Sequence, residues 1–221
     1  GLTADLAPGA VAGKLDTRIV QATGAFRDFQ GFAAGLGAEL VPGDLKRLAL
    51  DFSRQGTALG SVSAKGPLDL AKSEAKLQVD VSAIDRNVLN LAGAAMGLDF
   101  ATTRFDSANR IEVTAAGQKV AVVGSLTGTQ VSVKQGDLVT PALDLKETYD
   151  LAVDLAAQSL TLNAFTLNGT QGGREIVRGT LSNPLQVSWA ANAPALPDAS
   201  VDLVLSDLRL ADWSALAGTP L

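Results

Sequence analysis

The stretch Leu77–Gly93 changes its hydrophobic period at its midpoint. Its first part alternates apolar with polar residues, which predicts a half-buried β-strand. The apolar positions of that strand are Leu77, Val79 and Val81. After Ile84 the apolar residues recur at helical spacing, and Asp85 stands where its carboxylate can accept hydrogen bonds from the first free N–H groups. The pattern therefore predicts a strand that runs directly into a short helix.

A second copy of this pattern lies near the C-terminus, in Leu203–Gly218. Ser82 corresponds to Ser206, and the Leu-Ala-Gly that ends the first helix returns at the end of the second copy, with one residue inserted between them. The second copy predicts a strand over Val201–Ser206 and a helix over Asp212–Ala217. A strand-then-helix unit that occurs twice indicates a fragment of a repeating all-β structure.

Short strands joined by short connections fill most of the chain between the two copies. Turn residues separate these strands, and such spacing predicts an antiparallel meander of sequential pairs. The predicted strands are Asn109–Ala115, Lys119–Leu126, Thr129–Lys134, Leu138–Lys146, Tyr149–Ala156, Ser159–Asn168, Glu175–Ser182 and Leu185–Ala190.

The part of the chain before the first copy has a similar organisation. Leu45–Ser53 and Thr57–Lys65 predict a hairpin, whereas the glycines of Gln30–Gly37 favour a turn or a bulge. The pattern divides the chain into residues 1–98, a β-meander segment that ends in a short helix, and residues 99–221, a second meander repeat that also ends in a helix.

Several strands are apolar on one face and carry small or weakly polar residues on the other. Such strands can form an open trough, or they can close around a core. The sequence thus predicts an all-β fold with two short helices, built as a long curved antiparallel meander sheet with a hydrophobic groove; a closed β-sandwich is the alternative. The residues predicted to face the groove are Leu77, Val79, Val81, Val120, Val122, Leu151, Val153, Leu155, Leu160 and Leu162.

The composition excludes several classes of function. The chain has no Cys and no His, which removes thiol nucleophiles, disulfides, thiolate or imidazole metal ligands, and Ser-His or Cys-His catalysis. No metal site and no cofactor are predicted. The 18 basic and 23 acidic residues give a net charge of -5 without a basic cluster, which argues against a nucleic-acid partner.

Catalysis by carboxylates alone would need two of them in one cleft at a defined separation, and a meander does not fix such a pair from sequence. The acidic side chains are interpreted as solvated strand faces and turn caps. They are Asp80, Asp85, Asp106, Asp144, Glu147, Asp150 and Asp154. The sequence therefore predicts a protein that is not an enzyme.

The chain carries no targeting or membrane-spanning pattern. Its start lacks a basic segment followed by an apolar core, and no apolar run approaches the roughly 18 to 20 residues that span a bilayer. It begins without Met and stops just after a repeat unit. We therefore expect it to be a piece of a longer protein, in which an anchoring segment lies outside this chain.

The strand-to-helix junctions Val79–Gly93 and Leu203–Gly218 resemble the periplasmic repeats of AsmA-like proteins, the relatives of TamB. The connecting passages Gly124–Gly128, Thr140–Leu145 and Pro184–Trp189 are also similar to strands of that family. The likeness covers most of the chain as a pattern, since the family has no catalytic or ligand motif that could be matched.

The resemblance implies a bridge-like lipid transfer protein in the periplasm, anchored to the inner membrane. A curved β-sheet with a hydrophobic groove would conduct phospholipid acyl chains between the inner and outer membranes. The implied partners are phospholipid or another apolar ligand, together with proteins of the cell envelope. The alternative function is a structural β-sandwich, such as an adhesin or an envelope scaffold, and an accessible apolar groove distinguishes the two hypotheses.

Overall fold

The chain forms a long antiparallel β-meander in the computed structural model, which describes residues 2–7, 10–190 and 200–206. This confirms the predicted fold class. The strands are β1 (Leu2–Ala7), β2 (Ala10–Arg18), β3 (Phe32–Val41), β4 (Asp44–Arg54), β5 (Thr57–Asp69), β6 (Glu74–Asp85), β7 (Leu98–Asp99), β8 (Arg104–Thr114), β9 (Lys119–Val131), β10 (Lys134–Gln135), β11 (Leu138–Val139), β12 (Leu143–Asp154), β13 (Ser159–Gln171), β14 (Arg174–Leu181), β15 (Leu185–Ser188) and β16 (Val201–Leu205).

Among the described residues the main sheet has 13 strands, and its order follows the chain: β1-β2-β3-β4-β5-β6-β8-β9-β12-β13-β14-β16, with β15 paired to β13. The strands β7, β10 and β11 form a separate three-stranded sheet. The neighbouring strands pair antiparallel. Tight turns join several of them, such as β12 and β13, whereas longer connections join others, such as β6 and β8. Within the part of the chain that the structure describes, the two ends of the order, β1 and β16, do not pair with each other, and the sheet is not closed into a barrel.

One sheet continues across the predicted boundary at residue 98. The strand β6, which precedes the boundary, pairs directly with β8, which follows it, and α1 lies in the connection between them. Residues 1–98 and 99–221 therefore contribute strands to the same sheet. Their division into two repeat units stays a prediction.

Several strands of the second half are longer than the sequence predicts. The strand β12 runs without a break through the predicted gap between Lys146 and Tyr149, and β9 likewise runs through Gly128. A change of register between Asp150 and Leu151 accommodates an extra residue of β13. The strand β12 keeps one hydrophobic phase over its whole length, whereas β9 and β13 each change phase at a register shift.

The predicted turn or bulge over Gln30–Gly37 is confirmed only at Gln30 and Gly31, because β3 begins at Phe32 and pairs with β2 and β4. Its two glycines, Gly35 and Gly37, lie on the same face of the strand. The other face keeps a regular alternation of apolar residues that includes Leu36. This alternation outweighs the low strand propensity of glycine.

The predicted helix is present as α1, which spans Arg86–Gly93. Its N-terminus is capped as expected: the Asp85 carboxylate accepts hydrogen bonds from the backbone N–H groups of Asn87 at 2.9 Å and Val88 at 3.4 Å. The second predicted helix, Asp212–Ala217, lies outside the described residues.

A buried hydrophobic cluster packs against α1. Phe29, from the 3-10 helix Gly24–Phe29, is buried together with Phe32 and Leu59. The rings of Phe32 and Phe52 have centroids 5.9 Å apart. The partly buried residues around this cluster are Ile19, Ala34, Phe52, Val88, Leu91 and Ala94. The central Leu and Val residues of the sheet are only half-buried, unlike those inside a closed β-sandwich.

The segment that follows α1 is held by Asn90 and Asp99. Asn90 Nδ2 donates to the Asp99 carboxylate at 2.7 Å, and Asn90 Oδ1 accepts from the backbone N–H of Phe100 at 2.8 Å. The N–H of Ala101 donates to the same carboxylate at 2.9 Å. These hydrogen bonds, above all the one from Asn90, hold the pKa of Asp99 below its ordinary value, although burial acts in the opposite direction.

Replacement of Asp99 by Asn should reduce the free energy of unfolding by about 1 kcal/mol at neutral pH, because the hydrogen bonds lose their charged acceptor. A carboxyl whose pKa is lowered in the folded state stabilises the fold above its unfolded-state pKa, and this contribution disappears as the pH falls through the folded-state value. The difference in the free energy of unfolding between wild type and Asp99→Asn should therefore have its full value at about pH 7 and decrease below about pH 4. Urea unfolding over this pH range measures it; a difference independent of pH contradicts the assignment.

Candidate functional site

The strand register sorts the side chains of the main sheet into two chemically different faces. Residues that pair across neighbouring strands point to the same side of the sheet. One side collects Leu, Val, Ile and Phe from β2 to β16, and we call it the apolar face. The other side collects most of the charged and hydroxyl side chains, and we call it the polar face.

The apolar face contains two transverse rows without a polar member, each crossing β6, β8, β9, β12, β13 and β15. The first row is Leu77, Ile111, Val122, Leu151, Leu162 and Leu185. The second row is Ala75, Val113, Val120, Val153, Leu160 and Val187. At a spacing of about 4.8 Å between strands, each row extends for roughly 24 Å.

The structure brings nearly all of the predicted groove residues together on this face, where they are half-buried. They are Leu77, Val79, Val81, Val120, Val122, Leu151, Val153, Leu160 and Leu162. Leu155 is the exception: β12 ends at Asp154, so Leu155 lies in the following turn and is 49% exposed. The role of these residues in binding a ligand stays a prediction.

Ion pairs and hydrogen bonds cross between strands on the polar face. Lys76 Nζ lies 2.7 Å from the Glu112 carboxylate, and Lys119 Nζ lies 3.3 Å from that of Asp154. The N–H of Ala157 and the Lys119 ammonium hold the pKa of Asp154 below its ordinary value. These charges are exposed, so they keep this face hydrated and contribute little to stability.

A hollow of about 740 Å³ lies on the polar face across β4, β5, β6, β8 and β9. Its charged lining residues are Asp44, Lys46, Lys65, Lys76, Arg110 and Glu112. Asp44 and Glu112 each form an ion pair with a lysine, and these pairs raise the pKa of Lys46 and of Lys76. The hollow therefore has more positive than negative side chains, although the chain as a whole is acidic.

One group of polar side chains interrupts the apolar face at its centre. We call Ser107, Asn109, Glu147 and Tyr149 the central polar cluster; they lie on β8 and β12, on either side of β9. Tyr149 Oη donates to Asn109 Oδ1 at 2.5 Å, and Asn109 Nδ2 donates to Ser107 Oγ at 2.7 Å.

Gly124 on β9 makes the bond between Asn109 and Tyr149 possible. A Cβ atom at this position would lie 2.1 Å from Asn109 Oδ1 and 2.9 Å from Tyr149 Cε2. Only a residue without a side chain leaves space for two side chains to meet above the strand between them. The central polar cluster thus depends on three adjacent strands being in one register.

The cluster was not anticipated from the sequence, which interprets Glu147 as a solvated side chain. The sequence does contain a signal that places Glu147 on the apolar face. Glu147 has the same alternation phase as the large residues of its strand, which are Leu143, Leu145, Tyr149, Leu151 and Val153. The predicted strand break after Lys146 hid this signal, because the alternation of one strand does not determine the face of residues beyond its end.

No family model matches the chain, and no curated protein or solved structure matches it. No helix among residues 2–7, 10–190 and 200–206 is both long and apolar enough to cross a membrane. Within the same residues, no group of three or more His, Cys, Asp or Glu side chains could hold a metal ion. The candidate site is therefore defined by the geometry of the apolar face alone.

Proposed function

We propose that this chain is a non-enzymatic lipid-binding segment whose apolar face holds the acyl chains of phospholipids. One observation carries the proposal: the two transverse rows form a continuous, half-buried apolar strip about 24 Å long. One leaflet of a bilayer is about 15 Å thick in its hydrocarbon part, so the strip can accommodate an extended acyl chain. Acyl chains need apolar contact and no catalytic group.

Burial of apolar surface supplies the binding energy. Full burial stabilises a CH₂ group by about 0.8 kcal/mol, and an open sheet face covers only one side of a chain, which leaves roughly half of that value. A dozen CH₂ groups then contribute about 5 kcal/mol, which corresponds to a dissociation constant in the submillimolar range. A phospholipid with two chains should bind more tightly than a single-chain fatty acid.

The resemblance to AsmA-like proteins supports a role in the cell envelope. In that role the chain would be one segment of a longer β-sheet that conducts phospholipid between the inner and outer membranes, with its anchor at the inner membrane. The junction at Leu77–Gly93 and the apolar rows that cross the strands after it agree with such a segment. Movement along the sheet would require only weak contacts at each position, and an open apolar face offers these.

Native mass spectrometry of the purified chain, released from mild detergent, should detect bound phospholipid. In solution, a fluorescent single-chain fatty acid should bind, and phospholipid should displace it. A soluble headgroup without acyl chains, such as glycerol phosphate, serves as the control and should not displace it. The proposal is contradicted if the fatty acid does not bind, or if glycerol phosphate competes as well as phospholipid does.

The alternative function, an envelope scaffold, makes a different prediction for the same measurements. A scaffold would use the apolar face to pack against another protein and would show no preference for acyl chains. Lipid-free protein that self-associates and fails to bind the fatty acid would favour the scaffold.

A further inference from the structure

The central polar cluster presents hydrogen-bond acceptors on a face that is otherwise apolar. Asn109 uses its amide N–H groups on Ser107 Oγ at 2.7 Å and on the backbone carbonyl of Val79 at 3.4 Å. Tyr149 uses its only O–H on Asn109. The Glu147 carboxylate, when ionised, has no donor at all. The Ser107 hydroxyl keeps its O–H as a donor, but a ligand group that meets the cluster finds more acceptors than donors.

Glu147 lies in an apolar environment that does not compensate its charge. Its pairing neighbours across the sheet are Leu126 on β9 and Leu167 on β13, and the residue is half-buried. No hydrogen bond or ion pair among the described residues involves its side chain. A carboxylate at such a position costs free energy unless a cation or a hydrogen-bond donor approaches it. The site therefore lacks a positive partner.

We propose that Glu147, together with the central polar cluster, binds the ammonium group of an amphiphile whose alkyl chain lies on the apolar face. This inference rests on the proposed function and adds the chemistry of the polar group. An ammonium group supplies the positive charge and the donors that the acceptors of the cluster require. The ring of Tyr149, two residues further along β12, adds an aromatic surface that favours a cation.

Three probes with the same alkyl chain test the inference: dodecylamine, dodecanol and dodecanoate. Each is titrated below its micelle concentration against wild type, Glu147→Gln and Glu39→Gln, in competition with a fluorescent fatty acid. Glu39 is an exposed residue on the polar face, so Glu39→Gln removes the same charge from the chain without touching the cluster.

Wild type should bind dodecylamine more tightly than dodecanol and dodecanoate. Glu147→Gln should bind dodecylamine about 5- to 30-fold more weakly than wild type. The lower value corresponds to the loss of an exposed charge pair, and the higher value to the loss of a half-buried one. Dodecanol should bind the two proteins equally, and Glu39→Gln should behave as wild type.

Two results would overturn the inference in distinguishable ways. If dodecanol binds but dodecylamine has the same affinity for wild type and Glu147→Gln, the ammonium site is wrong and the proposed function stands. If none of the three probes binds to wild type, the proposed function fails and the ammonium site fails with it.

Discussion

Val122→Asp is expected to abolish binding of acyl chains, whereas Val123→Asp is expected to leave it unchanged. Val122 lies in the first transverse row, between Ile111 and Leu151. An acyl chain on this row would have to cover an ionised carboxylate, and removal of its water costs several kcal/mol. Affinity should therefore fall by at least about 30-fold, equivalent to roughly 2 kcal/mol.

Val123 provides a closely matched control. It is the next residue of β9 and has the same side chain, but it lies on the polar face and is 52% exposed. Its pairing neighbours are Arg110 and Asp150, so a carboxylate there stays in water. Displacement of a fluorescent fatty acid measures both variants, and circular dichroism verifies that both are folded. Equal losses in the two variants would show that binding does not depend on the apolar face.

Gly66→Ala should reduce the free energy of unfolding by about 3 to 5 kcal/mol, because strain and overpacking act together. Gly66 has φ +135°, a conformation that residues with a Cβ atom rarely adopt. Its Cβ atom would also lie 2.2 Å from the backbone oxygen of Lys76 on the neighbouring strand. Backbone atoms inside a sheet cannot move without breaking the pairing between β5 and β6. Urea unfolding measures the change.

Gly56→Ala separates the two contributions. Gly56 has φ +85° in the turn between β4 and β5, and nothing lies within 4 Å of a Cβ atom built there. Only the conformational strain applies, so about 1 to 2 kcal/mol should be lost. If Gly66→Ala were no more destabilising than Gly56→Ala, the close approach between β5 and β6 would be absent in solution.

The parts of the fold that depend on local sequence were predictable. The alternation of Leu77, Val79 and Val81 and the cap at Asp85 are determined within a few residues, and both are present in the structure. The hairpin formed by β4 and β5 was also predicted, because a turn with Gly56 lies between two strand-like runs.

The parts that depend on register were not predictable. Whether β12 continues past Lys146 is decided by its pairing with β9 and β13, and these partners are distant in sequence. That continuity places Glu147 on the apolar face. At the other end of β12 the pairing with both neighbours stops at Asp154, which leaves Leu155 in a turn. The bond between Asn109 and Tyr149 requires three strands and the space above Gly124, which no sequence period encodes.

The transverse rows have a consequence for how such a protein can change in length. Since each row runs perpendicular to the strands, the distance it covers depends on the number of strands and not on their length. One additional hairpin would extend the path by about 10 Å, and it would need only alternating residues in the correct phase. Duplication of a hairpin is therefore a simple genetic route from a short apolar strip to one that spans a wider gap, without any change to the strands already present.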